Sequence, residues 1–194
     1  MRPQLISVEE LQALTTDCAA HVYIRKPSAK YAGTVSELLT GTALHESGGL
    51  RWNRQRRYKY TSKGGAWGLW QVERISIEES VRRLRTRPAL ASRCTEWLFQ
   101  DVRGANCPEW FQTVPGGVDA LCQMMALSPR LCCLFARLHY LWKPGRIPEN
   151  VEAQAAYWKE HFNTVEGSGT VEEYLENQVY APGSYVAKDF PDTY

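Results

Sequence analysis

The sequence predicts an all-α fold, a single domain of about eight helices with little or no sheet. Three observations carry that prediction. Helix-starting signals recur: Ser7-Val8-Glu9-Glu10, Thr34-Val35-Ser36-Glu37 and Thr170-Val171-Glu172-Glu173 each have the Ser or Thr and the Glu of a capping box. Apolar residues follow them at intervals of three and four. One segment, Pro129 to Trp142, is apolar nearly all round, as only a buried helix is. At 194 residues the chain has the length of one domain with a sizeable core. We place that domain at 1–180 and an extended tail at 181–194, where Pro182, Gly183 and Pro191 discourage regular structure.

The elements follow in order. Val8, Leu11, Leu14 and Cys18 form a stripe, so a helix runs from Val8 to about Arg25, broken by Lys26-Pro27-Ser28. The second helix should begin at Val35 with Thr34 as its cap and end at Gly48-Gly49. Tyr58 to Thr61 reads as a strand. Ser76-Ile77-Glu78-Glu79 starts a helix through Arg85, and Thr86-Arg87-Pro88 stops it. A shorter helix covers Ala89 to Phe99, and Gly104 to Gly117 reads as a loop. Val118 to Leu127 is helical. Ser128 then caps the core helix with Pro129 at its first position. Asn150 caps a helix through His161, and Thr170 caps a last one through about Val179.

The second helix carries the candidate chemistry. Val35, Leu38, Leu39, Thr42 and Glu46 share one face. Glu46 therefore points where the leucines point, towards the core. A carboxyl group there loses solvation and its pKa rises. A Glu so placed holds its proton near neutral pH and can give it to a leaving oxygen. The plain alternative is a helix-end acid that reaches solvent.

Three segments together resemble one family. Glu46-Ser47, the run Ser62-Lys63-Gly64-Gly65-Ala66-Trp67-Gly68-Leu69-Trp70-Gln71-Val72, and Tyr157-Trp158-Lys159-Glu160-His161-Phe162-Asn163-Thr164 with Gly167 occur in that order. They are similar to the Glu-Ser, Gly-Ala-x-Gly-Leu-Met-Gln and Tyr-Asn-Ala-Gly segments of lytic transglycosylases with the lysozyme-like fold, over about residues 35–177. The long loop between the first two pieces and the Gly167-Ser168-Gly169-Thr170 ending resemble the wall-degrading proteins carried in phage particles. Two departures stand out: Trp70 replaces the usual Met, and Phe162 replaces the Tyr that precedes the Asn. Either Tyr140 or Tyr157 could supply the displaced phenol.

The resemblance implies a lysozyme-like fold and one catalytic residue, Glu46, which needs no metal and no cofactor. It implies that Ser47 fixes the acid or touches substrate and that Gly68 lets backbone approach the sugar. Leu69 and Gln71 would bind substrate, with Gln71 hydrogen-bonding N-acetyl groups, and Trp70 would form an apolar wall. Phe162 and Asn163 would close the other side with Tyr140 or Tyr157. Each of these also has a reading in which it only packs. His45, beside the acid, either tunes its pKa or packs.

Seven Trp and ten Tyr are many for this length, and sugar grooves use aromatic platforms, although most of these rings should pack the core. The net charge of +2 gives no argument for nucleic acid. Arg51, Arg54, Arg56, Arg57, Lys59 and Lys63 stand together without an acid, either as a solvated loop or as a basic rim for an anionic polymer. No recognition-helix pattern accompanies them, so nucleic acid is the least favoured partner. The six cysteines, Cys18, Cys94, Cys107, Cys122, Cys132 and Cys133, lack metal-ligand spacing, and Cys132-Cys133 reads as buried thiol.

No secretory signal and no run of transmembrane length is seen. The expectation is synthesis in a bacterial host's cytoplasm, packaging in a phage particle beside other virion proteins, and action on peptidoglycan strands of the periplasmic wall. A lysis system that releases the protein is the other route. Two rival readings remain: a hydrolytic lysozyme using Glu73, Asp101 or Asp119 as a second carboxylate, and a structural virion component with weak or no catalysis.

Overall fold

The computed structural model describes residues 6–50, 65–100, 116–163 and 167–178. Among these residues the chain forms eight α-helices, one π-helical turn and a two-stranded sheet. It is mostly helical, as the sequence predicts. Helix α1 (Val8–His21) opens with the expected capping box, in which Ser7 Oγ accepts from the Glu10 N–H and the Glu10 carboxylate accepts from the Ser7 N–H. It stops short of Arg25 because Val22 turns extended. Carbonyls beyond the helix are taken by arginines from elsewhere: Arg137 Nε donates to Val22 at 3.0 Å and Arg93 Nη2 to Tyr23 at 2.8 Å.

Helix α2 (Ala29–Glu46) begins earlier than expected. Ser28, not Thr34, is its cap, accepting from the Tyr31 N–H at 3.2 Å. Thr34 lies inside the helix and its hydroxyl donates back to the Lys30 carbonyl at 3.2 Å. A mid-helix Thr satisfied in this way looks like a cap in sequence, which explains the misplacement. The α1–α2 seam is polar: Thr15 Oγ1 shares hydrogen bonds with Ser36 Oγ at 3.0 Å and Thr40 Oγ1 at 2.8 Å, and Thr16 Oγ1 with Ser36 Oγ at 2.9 Å.

After the segment 51–64, strands β1 (Ala66–Trp67) and β2 (Val72–Glu73) pair antiparallel, with Trp67 opposite Val72. The expected strand at Tyr58 to Thr61 and the six basic residues lie outside the described residues. Strand β2 runs directly into α3 (Arg74–Arg85), which starts before Ser76; Glu73 occupies the cap position without a side-chain bond. Ser76 instead shares a hydrogen bond with His139 Nδ1 at 3.1 Å. Helix α4 (Pro88–Leu98) follows as expected.

Helix α5 (Gly117–Leu127) bends by 117° into α6 (Pro129–Leu141). Ser128 caps α6 by accepting from the Leu131 N–H. Leu131, Cys132, Cys133, Leu134, Phe135, Ala136 and Leu138 are all buried, so α6 is the core helix that the sequence predicts. It also buries Arg137, whose loss of solvent lowers its pKa and whose Nε is met by the Val22 carbonyl. Cys18, Cys94, Cys122, Cys132 and Cys133 are free and buried. Burial pushes the Cys132 thiol up to about 12, which suits an inert packing role. Among the described residues no single helix is long and apolar enough to cross a membrane.

Asn150 Oδ1 accepts from the Ala153 N–H at 2.7 Å and caps α7 (Val151–Trp158). The helix does not continue regularly to His161. It widens into a π-turn over Lys159–Asn163. Buried His139 explains the anchor point: desolvation lowers its pKa to about 4, so it is neutral, and Nε2–H donates to the His161 carbonyl at 2.7 Å. Helix α8 (Val171–Asn177) closes the described chain, with both halves of the Thr170–Glu173 capping box formed.

The hairpin turn packs tightly on α6. Gly68 has φ +70°, and an added Cβ would overlap Cys132 and the Met125 carbonyl. A Gly68→Ala protein should therefore lose about 2–4 kcal/mol, combining the left-handed penalty with overpacking. Urea unfolding checks this. Because Cys132 Sγ is the nearest obstacle, adding Cys132→Ala should make the double mutant less destabilised than the two single losses added together.

Candidate functional site

Helix α2 ends in a Schellman motif around the candidate acid. The Gly49 N–H donates to the Leu44 carbonyl at 2.9 Å and the Gly48 N–H to the His45 carbonyl at 3.2 Å. Gly48, Gly49 and Leu50 all have positive φ. Ser47 completes the cap: its Oγ donates to the Ala43 carbonyl at 2.6 Å and accepts from the Leu50 N–H at 2.8 Å. Ser47 is buried, so its place is in holding the helix end behind Glu46 and not in touching a sugar.

Glu46 itself is half-buried. Its carboxyl group faces inward, and its pKa is raised from 4.5 to about 7. Desolvation is the main cause. The Trp158 indole N–H, donating to Oε1 at 3.0 Å, pulls the value down, and the nearby Glu73 charge pushes it up. The acid thus stands between the end of β2 and the end of α7, both distant in sequence.

Trp158 is fully buried and packed against two rings. Tyr174 stacks on it with ring centroids 4.9 Å apart, and His45 meets it edge-on at 4.4 Å. Asn177 Nδ2 donates to His45 Nδ1 at 3.0 Å. Burial lowers the His45 pKa, the principal effect on it. His45 therefore packs as a neutral ring. The Gly-x-Gly ending serves the same layer: a Cβ on Gly167 would overlap Asn163, and one on Gly169 would crowd Trp158 and His45.

The other expected substrate-binding residues divide into two groups. Gly68, Leu69 and Trp70 are buried. Gly68 makes room for Cys132 and not for a sugar. Trp70 lies wholly in the core, its Nε1 donating to the Leu39 carbonyl at 2.7 Å, so it is not a groove wall. An indole with its one donor satisfied is at home there. Gln71, Phe162 and Asn163 keep some exposure. Gln71 has φ +47°, rare for a residue with a side chain, and its Nε2 donates to the Gly68 carbonyl at 2.6 Å. Phe162 packs on His139 and Tyr140, at 4.8 and 5.3 Å between centroids. Asn163 Oδ1 accepts from Lys159 Nζ at 2.8 Å, and the same ammonium holds the Gly167 carbonyl at 2.8 Å.

Two phenols feel the Glu46 charge, Tyr140 and Tyr174. Tyr140 is buried and shares a hydrogen bond with Thr42 Oγ1 at 2.8 Å. The Tyr174 hydroxyl is buried without a hydrogen-bond partner. Tyr157 also buries an unpartnered hydroxyl, pushed up to about 12 chiefly by burial, and the carboxylate acting on it is Glu160. The sequence reading missed Trp158 as the partner of the acid and missed Tyr174 entirely. Trp158 lies within the third motif segment, which is the one signal that marks it; nothing local marks Tyr174.

Of the rival carboxylates, Glu73 is exposed and within electrostatic reach of Glu46. Asp119 is paired with Arg74, and Asp101 lies outside the described residues. Among the described residues no cluster of three or more His, Cys, Asp or Glu could hold a metal ion. A groove of about 480 Å³ runs along another face of α2, lined by Gly33, Ser36, Glu37 and Thr40 with residues of α1 and α7, and does not include Glu46. Compared with protein-family models, curated proteins and solved structures, the chain matches none.

The raised pKa makes a stability prediction. Below about 4.5 Glu46 is protonated whether folded or not. Between about 4.5 and 7 the unfolded chain releases this proton while the folded state keeps it, so stability falls across that window and levels off above 7. Glu46→Gln removes that liability. The variant should match wild type near pH 4 and exceed it by up to about 3 kcal/mol above pH 7. Denaturant unfolding across the pH range measures the difference.

Proposed function

We propose that this chain is a peptidoglycan lytic transglycosylase that cleaves the bond between N-acetylmuramic acid and N-acetylglucosamine. The observation that carries the reading is Glu46, a desolvated acid with a pKa of about 7 at a helix end, bordered by the hairpin and by the Trp158 segment. These are the three pieces on which the family resemblance rests. Protonated Glu46 gives its proton to the oxygen leaving the muramic acid, while the substrate's own N-acetyl group assists at the anomeric carbon. Ionised Glu46 then takes the proton of the C6 hydroxyl. That oxygen attacks the anomeric carbon and closes a 1,6-anhydro ring, which returns the proton to Glu46 and consumes no water. A pKa near 7 suits a group that must serve as acid and then as base. Carriage in a phage particle, with action on the wall at entry, is the setting that we propose.

A hydrolytic lysozyme is the second reading, favoured by Glu73 alone. A second carboxylate close enough to raise the Glu46 pKa is a candidate for positioning a water.

Digestion of purified peptidoglycan, with products read by mass spectrometry, separates these readings. Wild type should release 1,6-anhydro ends, with kcat/KM falling above about pH 7 as free Glu46 loses its proton. Glu46→Gln should lose about 10²–10⁴ in rate. Glu73→Gln should remain largely active. Reducing ends, together with near-complete loss in Glu73→Gln, would make the enzyme a hydrolase. Absence of product from folded wild type would end the enzymatic reading.

A further inference from the structure

We infer that Trp158 is a positioning residue for Glu46, whose indole N–H fixes one carboxyl oxygen and leaves the other to carry the transferable proton. The inference rests on the acid/base reading of Glu46. Three observations support it. The indole Nε1 donates to Oε1 at 3.0 Å. The ring is fully buried, so water does not compete for the donor. Tyr174 stacks on the ring and His45 meets it edge-on, the two also touching each other, and His45 is held in turn by Asn177. The donor is therefore locked in direction before any substrate arrives.

A fixed donor on one oxygen does two things. It donates preferentially to the oxygen without the proton, so the proton sits on Oε2. It also strengthens as Glu46 becomes an anion, because hydrogen bonds to charged acceptors are the stronger ones. The charge that develops during proton donation is met by a preorganised donor. The other groups that bear on Glu46 do not replace it: the Glu73 charge on β2 opposes ionisation, Tyr140 on α6 spends its hydroxyl on Thr42, the buried Tyr174 hydroxyl on α8 gives the acid no hydrogen bond, and His45 is a neutral packing ring.

The test removes the N–H and keeps the ring. Trp158→Phe is the simple variant. Site-specific replacement of Trp158 by benzothienylalanine, which puts sulfur where the N–H was, preserves the shape if the smaller ring fails to fold. The Glu46 carboxyl carbon is titrated by NMR with ¹³C-labelled glutamate, assigned by its disappearance in Glu46→Gln. Loss of the donor should raise the Glu46 pKa by about one pH unit. The alkaline limb of the kcat/KM profile should move up with it, and kcat should fall about tenfold with KM unchanged. A folded sulfur variant whose Glu46 titrates as in wild type overturns the inference, as does a shifted titration with unchanged kcat. If the titration shifts as expected but wild type itself cleaves nothing, the bond between Trp158 and Glu46 stands and the transglycosylase reading falls.

Discussion

A carboxyl group at the C-terminal end of a buried helix is disfavoured as an anion twice. It has lost water, and it faces the negative end of the helix dipole. Glu46 is in that position at the end of α2, and Glu73 adds a third unfavourable influence. One hydrogen bond from Trp158 works in the other direction and does not outweigh burial. The resulting pKa of about 7 is a balance, and the surrounding structure can be read as what maintains it.

The balance depends on residues far apart in the chain. The Schellman cap fixes where α2 stops, and so where Glu46 sits. The end of α7 brings Trp158 to it, and the π-turn immediately after is held by His139 on the His161 carbonyl and by Lys159 on the Asn163 side chain and the Gly167 carbonyl. Short helix α8 adds little core of its own, yet Tyr174 and Asn177 on it keep the Trp158–His45 layer in order. Gly41 in α2 and Gly169 before α8 permit the approach, because a side chain at either would run into this layer or its neighbours. A seven-residue helix near the end of the described chain thus packs the layer against which an acid near its beginning is held.

Local signals were legible in the sequence, and distant pairings were not. Ser7, Ser128, Asn150 and Thr170 each cap the helix expected of them, since a cap needs only its own next three residues. The buried helix α6 was equally clear because its apolar residues leave no wet face. Thr34 misled because a Thr and a Glu three apart also occur inside a helix, where the hydroxyl bonds back to the preceding turn. The site was half legible. The inward aim of Glu46 follows from its stripe, whereas the partner at 158 is a matter of tertiary packing. Gly68 and Trp70 were read as facing substrate, but the turn that carries them is pressed onto Cys132 and Leu39. A glycine- and tryptophan-rich turn looks the same in sequence whether a ligand or a helix lies against it.

That distinction sharpens what each motif residue says about function. Ser47, Gly48 and Gly49 are accounted for by the helix cap, Gly68 by Cys132, Trp70 by the Leu39 carbonyl, and Gly167 and Gly169 by Asn163 and Trp158. Folding alone suffices to explain all of them, so none adds independent weight to a catalytic role. Glu46 is different. A glutamine has nearly the same shape, could accept the same indole N–H, and carries no charge to desolvate, so folding alone would prefer it. A residue that the fold would be better without is the kind kept for chemistry, since functional sites are where stability is given up. The case for catalysis therefore rests on one carboxyl group and the donor that holds it, and the remaining motif residues serve as the frame that brings the two together.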